Sequence, residues 1–254
     1  MMWIVGDVRD RSVRRYDDGR GRPDADRTET VVVEEDVVAI VLAGGASRRL
    51  AGSVADAGGK AALEVAGESL LGHVCRSLAT VVPRIVVVAA PGQRLPVLAV
   101  PVEIVHDTTP GAGPLAGLRD GLAHALATGP RPRIALLTSC DVPLLRPALV
   151  RAILAAARDA GVGFVVPVVG GHPQVLVSAL ATARAGLAAE LVASGRASLR
   201  GLIDAVAATG PGAVRRLDEA ELAVHDPELL SFRDIDTPAD LARLVAAGIP
   251  PSSP

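Results

Sequence analysis

Aromatic side chains are nearly absent from this chain: one Trp, one Tyr and two Phe among 254 residues. With hydrophobic residues at 50%, the interior has to be assembled from Val, Leu, Ala and Ile, a composition that suits helices laid over a parallel sheet. Cysteine is just as scarce. Cys75 and Cys140 fit neither a disulfide framework nor a zinc spacing. Charge is nearly balanced at a formal −2, so no global field draws the chain to nucleic acid or an anionic membrane. No run is long and apolar enough to span a bilayer, and the opening MMWIVGDVRDRSVRR lacks the apolar segment of a signal peptide. A cytoplasmic setting is the expectation, with neither nucleic acid nor membrane as partner.

What is present divides into a leader and a domain. Residues 1–36 mix seven arginines with scattered aspartates and show no apolar periodicity, which predicts a disordered or weakly ordered leader. Residues 37–249 alternate strand and helix patterns, and 250–254 form a tail. Apolar runs predict strands at Val37–Ala43, Arg84–Ala90, Val102–Val105, Arg133–Thr138 and Gly163–Val169. Helical spacing predicts helices at Ser69–Val81, Leu115–Ala127, Arg146–Ala160, Ser178–Ala193, Leu199–Ala208 and Thr237–Ala247. Such alternation with short connections predicts an α/β, three-layer α/β/α domain. Its sheet would be doubly wound and mostly parallel, binding ligands outside the strands' carboxyl ends.

The first stretch with chemical content is VVAIVLAGGASRRLAGSVADAGGK, residues 37–60. A buried strand ends abruptly in Gly44-Gly45, and small or cationic residues follow, through Arg48 and Arg49 to Lys60. A glycine turn lets backbone N–H groups approach an anion, and the cations beyond it can neutralise a polyphosphate. A Walker A loop is excluded, because Val54 stands where its first Gly belongs and Ala61 replaces its hydroxyl residue.

Three further stretches complete the set. In RIALLTSCDVP an apolar strand delivers Asp141 at its carboxyl end; such a carboxylate can begin a Mg²⁺ site or cap the following helix. In HDTTPGAGPLAG, Asp107 opens a flexible loop leading into a helix, a place where an aspartate commonly shapes an Asx turn. The G-x-G inside that loop is a poor dinucleotide fingerprint, since HDTTP separates it from its strand and Pro114 intrudes. In FRDIDTPADL, Asp234 and Asp236 precede a Thr237-Pro238 helix start.

Leu42-Ala43-Gly44-Gly45-x-Ser47-x-Arg49-Leu50 resembles the L-A-G-G-x-S-x-R-M signature of the MobA-like nucleotidyltransferases, the molybdenum cofactor guanylyltransferases. Ser139-Cys140-Asp141-Val142-Pro143, the D-x-x-x-G-x-G-P-L-x-G segment from Asp107, and the Phe232–Leu241 stretch resemble that family's later motifs in order. Three departures stand out: Ala51 replaces a usual Gly, Gly52–Gly59 is long, and Gly59 replaces the Asp before the lysine. The resemblance implies a Rossmann-like nucleotidyltransferase fold and transfer of GMP from GTP to molybdenum-molybdopterin, releasing pyrophosphate. It implies nucleotide binding by Leu42, Ala43, Gly44, Gly45, Ser47, Arg49, Lys60, Asp107 and Asp141, with Arg49, Lys60 and Asp141 catalytic. Mg²⁺ is the implied cofactor, held by Asp141 and Asp234. GTP and molybdopterin are the implied substrates, with molybdoenzymes or other cofactor-biosynthesis proteins as further partners. His172-Pro173, Arg196 and Arg200 resemble acceptor-side positions, or are ordinary solvated residues. The rivals are a related transferase using CTP or another phosphorylated acceptor, and a non-catalytic nucleotide-binding protein of the same fold.

Overall fold

A computed structural model describes residues 35–44, 58–235 and 239–240, all within one compact unit, Val31–Pro254. The leader expectation for residues 1–34, the tail at 250–254 and most of the helix expected at Thr237–Ala247 lie outside the described residues. Asp36, placed at the end of the leader by composition, is tied to the domain. Its carbonyl accepts from Arg133 N at 2.7 Å and its carboxylate pairs with Arg158.

The continuous apolar run Val37–Leu42 forms β1, buried at all six positions. A short 3₁₀ helix, Gly59–Ala62, leads into a small hairpin, β2 (Glu64–Val65) and β3 (Glu68–Ser69). Next come α1 (Leu70–Ala79), N-capped by the Ser69 hydroxyl, then β4 (Arg84–Ala89) and β5 (Glu103–His106). Helix α2 (Pro114–Ala127) begins with proline in its first turn, where the missing N–H costs nothing. There follow β6 (Ile134–Ser139), α3 (Pro147–Ala156), β7 (Phe164–Val169), β8 (His172–Pro173) and β9 (Val177–Ala181). The described elements end with α4 (Ala185–Ala193), α5 (Leu199–Ala207), β10 (Val214–Leu217) and α6 (Glu219–Ala223).

The strands form a sheet in the order β10-β7-β9-β6-β1-β4-β5, with β8 hydrogen-bonded to β7. β1 lies inside it, between β6 and β4 and parallel to both. Alternate residues of β1 feed the two cores. Val37, Ala39 and Val41 pack with α1 and α3, while Val38, Ile40 and Leu42 pack with α2, α4 and α5. The arrangement is the expected three-layer α/β/α domain. None of the helices among the described residues is long and apolar enough to cross a membrane.

One expected helix divides. Ser178–Ala181 belongs to strand β9, antiparallel to β6 and β7, and helix α4 starts only at Ala185. Val-Ser-Ala-Leu-Ala is buried on both faces of the sheet, so it shows no alternation, and its alanines favour helix by propensity alone. Neighbouring strands override that propensity. The hairpin β2–β3, the strands β8 and β10, and α6 are additions to the sequence expectation.

Helix α2 comes unusually close to the sheet. A Cβ at Gly121 would lie 2.6 Å from Ile40 Cγ2, and one at Gly117 would lie 3.0 Å from Leu42 Cδ2. Two bare positions one turn apart let the helix backbone rest on β1 and β4.

Candidate active site

The carboxyl ends of β1 and β6 are joined by a hydrogen bond from Cys140 N to Leu42 O, 3.1 Å long. Beyond β1, Ala43 N and Gly44 N both donate to Val88 O, at 2.9 and 3.2 Å, bending the chain over β4. A Cβ on Gly44 would stand 2.9 Å from Ala90 N, so the turn needs a residue without a side chain. Leu42 and Ala43 are buried supports, and Gly44 is exposed. Gly45, Ser47 and Arg49 lie outside the described residues.

Lys60 lies on the short 3₁₀ helix Gly59–Ala62. Gly59 takes the left-handed conformation, φ 60°, which glycine adopts without strain, at the position where the signature has Asp. Ala61, where a Walker loop would carry a hydroxyl, is fully buried in the core and pins the turn from below. Lys60 Nζ then reaches Asp141 Oδ2 at 3.3 Å, with both side chains mostly covered.

Asp141 follows β6 directly. Ser139 donates its hydroxyl to Asp141 Oδ1 at 2.5 Å, and Asp141 O accepts from Ile235 N at 2.9 Å. Helix α3 starts at Pro147 with Arg146 in the capping position, so Asp141 is not the cap of the following helix. The Ile235 bond sets the exposed Asp234 one residue from the backbone of Asp141. The segment carrying Asp234 is itself anchored. Buried Asp226 accepts from Ser231 N at 2.7 Å and pairs with Arg146, while Ser231 Oγ accepts from Arg146 N. Among the described residues no cluster of three or more His, Cys, Asp or Glu could hold a metal. Asp141, and Asp234 beside the residue hydrogen-bonded to it, are carboxylates of the kind that Mg²⁺ takes one or two of, alongside phosphate oxygens and water. Asp236, the other aspartate of that motif, lies outside the described residues.

Asp107 stands just beyond β5. Its Oδ1 accepts from Thr109 N at 2.8 Å, so it closes an Asx turn. Two residues that motif reading passed over hold this loop. Buried Asp120 accepts from Thr108 N at 2.7 Å, and Arg119 donates to the hydroxyls of Thr108 and Thr109. Arg119-Asp120 reads as an unremarkable polar pair on a helix, and only the fold brings it under the loop. On the far side, a Cβ at Gly113 would lie 3.4 Å from Ala197 O, so the loop before α2 touches the one between α4 and α5. That second loop, with Arg196 and Ser198, lines a groove of about 670 Å³ between α4 and α5. Arg196, Arg200 and His172 are all exposed. Burial pushes the thiols of Cys140 and Cys75 up to about 12, which removes both as nucleophiles.

Residues 39–210 match the model of the MobA-like NTP transferase domain. The chain belongs to that family. A Mycobacterium avium protein named "Probable molybdenum cofactor guanylyltransferase" is 34% identical over 208 residues, covering 82% of this chain and 94% of that relative. The fold recurs in molybdopterin-guanine dinucleotide biosynthesis protein A from Archaeoglobus fulgidus, with a TM-score of 0.65, 21% identity and coverage of 83% and 97% of the two chains. It recurs again in a Mycobacterium tuberculosis protein solved as a complex with manganese (TM-score 0.53, 19% identity, coverage 84% and 99%).

Proposed function

We propose that this protein transfers GMP from GTP to the terminal phosphate of molybdenum-loaded molybdopterin, forming the guanine dinucleotide cofactor. The observation that carries this reading is the meeting of Lys60 and Asp141 outside the carboxyl ends of β1 and β6, where a doubly wound sheet binds its ligand. That meeting holds although Gly52–Gly59 is longer than the family signature and Gly59 replaces its Asp. The 34% identity to a named guanylyltransferase over most of both chains supports the same reading.

In this reaction an oxygen of the acceptor phosphate attacks the α-phosphorus of GTP, the bond to the β-phosphate oxygen breaks, and pyrophosphate leaves. No covalent enzyme intermediate is needed. Lys60 neutralises charge that develops on the departing phosphates, and the turn at Gly44 lets backbone approach them closely. Asp141 and Asp234 would hold Mg²⁺, which when bound screens the triphosphate and draws its oxygens into line. Asp107 keeps Oδ2 for the guanine edge while Oδ1 holds the turn. The loop carrying Arg196, in contact with Gly113, is the acceptor's side of the site.

Pyrophosphate release tests the reading, measured with GTP, CTP and ATP in turn, each with Mg²⁺ and molybdopterin. Release that requires both GTP and molybdopterin is the expected outcome. Faster release with CTP would reassign the nucleotide, and no release with any of the three would overturn transfer altogether.

A further inference from the structure

Three backbone strands converge on one side chain beside the site, and none of the motifs includes it. Gln93, half-buried in the turn after β4, donates both N–H bonds of its amide: Nε2 lies 3.0 Å from Ala43 O and 3.0 Å from Gly58 O. Its Oε1 accepts from Ala90 N at 2.9 Å, and its own N–H returns to Ala90 O at 3.1 Å. The amide can sit only this way round, since the reverse would aim its oxygen at two carbonyls and its NH₂ at an N–H.

The two carbonyls it joins are far from equivalent in the chain. Ala43 follows β1, and Gly58 begins the turn that carries Lys60. Gly58 is wedged as well as bonded: a Cβ there would lie 2.5 Å from Ala62 Cβ and 3.0 Å from Arg94 O. We propose that Gln93 is a positioning residue that fixes Lys60 opposite Asp141, by tying the end of β1 to the start of the lysine-bearing turn. With both stems fixed, the placement of Lys60 depends only weakly on how many residues lie between them, because the closure cost that the tie has to meet grows only with the logarithm of loop length. That weak dependence accounts for a motif longer than the family signature whose lysine stays 3.3 Å from Asp141.

The catalytic consequence rests on the transfer reading; the tie itself does not. Gln93→Met keeps the length and loses all three side-chain bonds, while Gln93→Glu keeps the acceptor for Ala90 and loses both donors. Hydrogen exchange in the segment 58–63 should speed up in both variants, a readout that needs no substrate. In pyrophosphate release, kcat should fall roughly ten- to a hundredfold, the scale of a small misplacement of a charged group. In a Lys60→Ala background the same substitutions should cost less than about twofold, since no amine is left to misplace. An equal loss in both backgrounds would make Gln93 merely structural, and unchanged exchange would remove the tie. A wild-type protein that releases no pyrophosphate would overturn the transfer reading, and exchange alone would then decide the tie.

Discussion

Lys60 and Asp141 stand 81 positions apart in the chain and 3.3 Å apart in space. Neither strand nor helix spans that separation. It is closed by the parallel pairing of β1 with β6 and by the turn that Ala61 anchors in the core. Asp141→Asn removes the charge and keeps the shape, so pyrophosphate release should fall by at least about a hundredfold, the usual cost of losing one preorganised electrostatic group. Melting temperature should move by only a few degrees, because a partly exposed ion pair contributes little to folding. Near-normal turnover in the folded variant would take Asp141 out of the site.

Asp107 has two oxygens and two proposed tasks, which one substitution can separate. Asp107→Asn retains an oxygen for Thr109 N and puts an NH₂ where guanine donors would pair. The GTP/ATP ratio of kcat/KM should fall about tenfold, the worth of one charged hydrogen bond. A KM raised alike for every nucleotide, with the ratio unchanged, would leave Asp107 only its turn.

Acid should expose the role of Glu103. The Arg84 guanidinium, hydrogen-bonded to it, and then His124 hold its carboxyl below the ordinary 4.5, against the opposing effect of burial. A depressed folded value means stability that is present above about pH 4.5 and lost as pH falls through the lowered value. Thermal melts of Glu103→Gln should therefore lie below wild type at neutral pH, and the gap should close on acidification. A gap independent of pH would point to packing.

Both cysteines should be silent towards thiol reagents. With thiols pushed up to about 12 by burial, native protein at pH 8 should react with Ellman's reagent at neither Cys75 nor Cys140. Denaturant should release two equivalents. Rapid labelling of the native protein would mean that the core near the site opens readily.

The sheet's inner strands were legible because all their positions but Arg84 are buried. Val37–Leu42, Arg84–Ala89 and Ile134–Ser139 are apolar runs too short for helices and bounded by turn residues. β9 was illegible for the same reason inverted. A strand buried on both faces and rich in alanine looks like a helix until its neighbours are known. In the candidate site, the motifs single out Asp141 and Lys60 and pass over Asp120, Arg119 and Gln93. Their importance lies in which backbone groups they reach, and these belong to other parts of the chain. Periodicity reports which way a residue faces and carries nothing about such partners.

The two missing side chains on α2 bear on more than packing. Any group at position 121 would have to push against Ile40, prising the helix off the sheet and carrying its first turn outward. That first turn begins at Gly113, which rests against Ala197, and its preceding loop runs back to Asp107. The position of the loop from Asp107 to Gly113 is therefore gauged by a helix face buried against the sheet. Gly121→Ala would act as a shim under that whole loop.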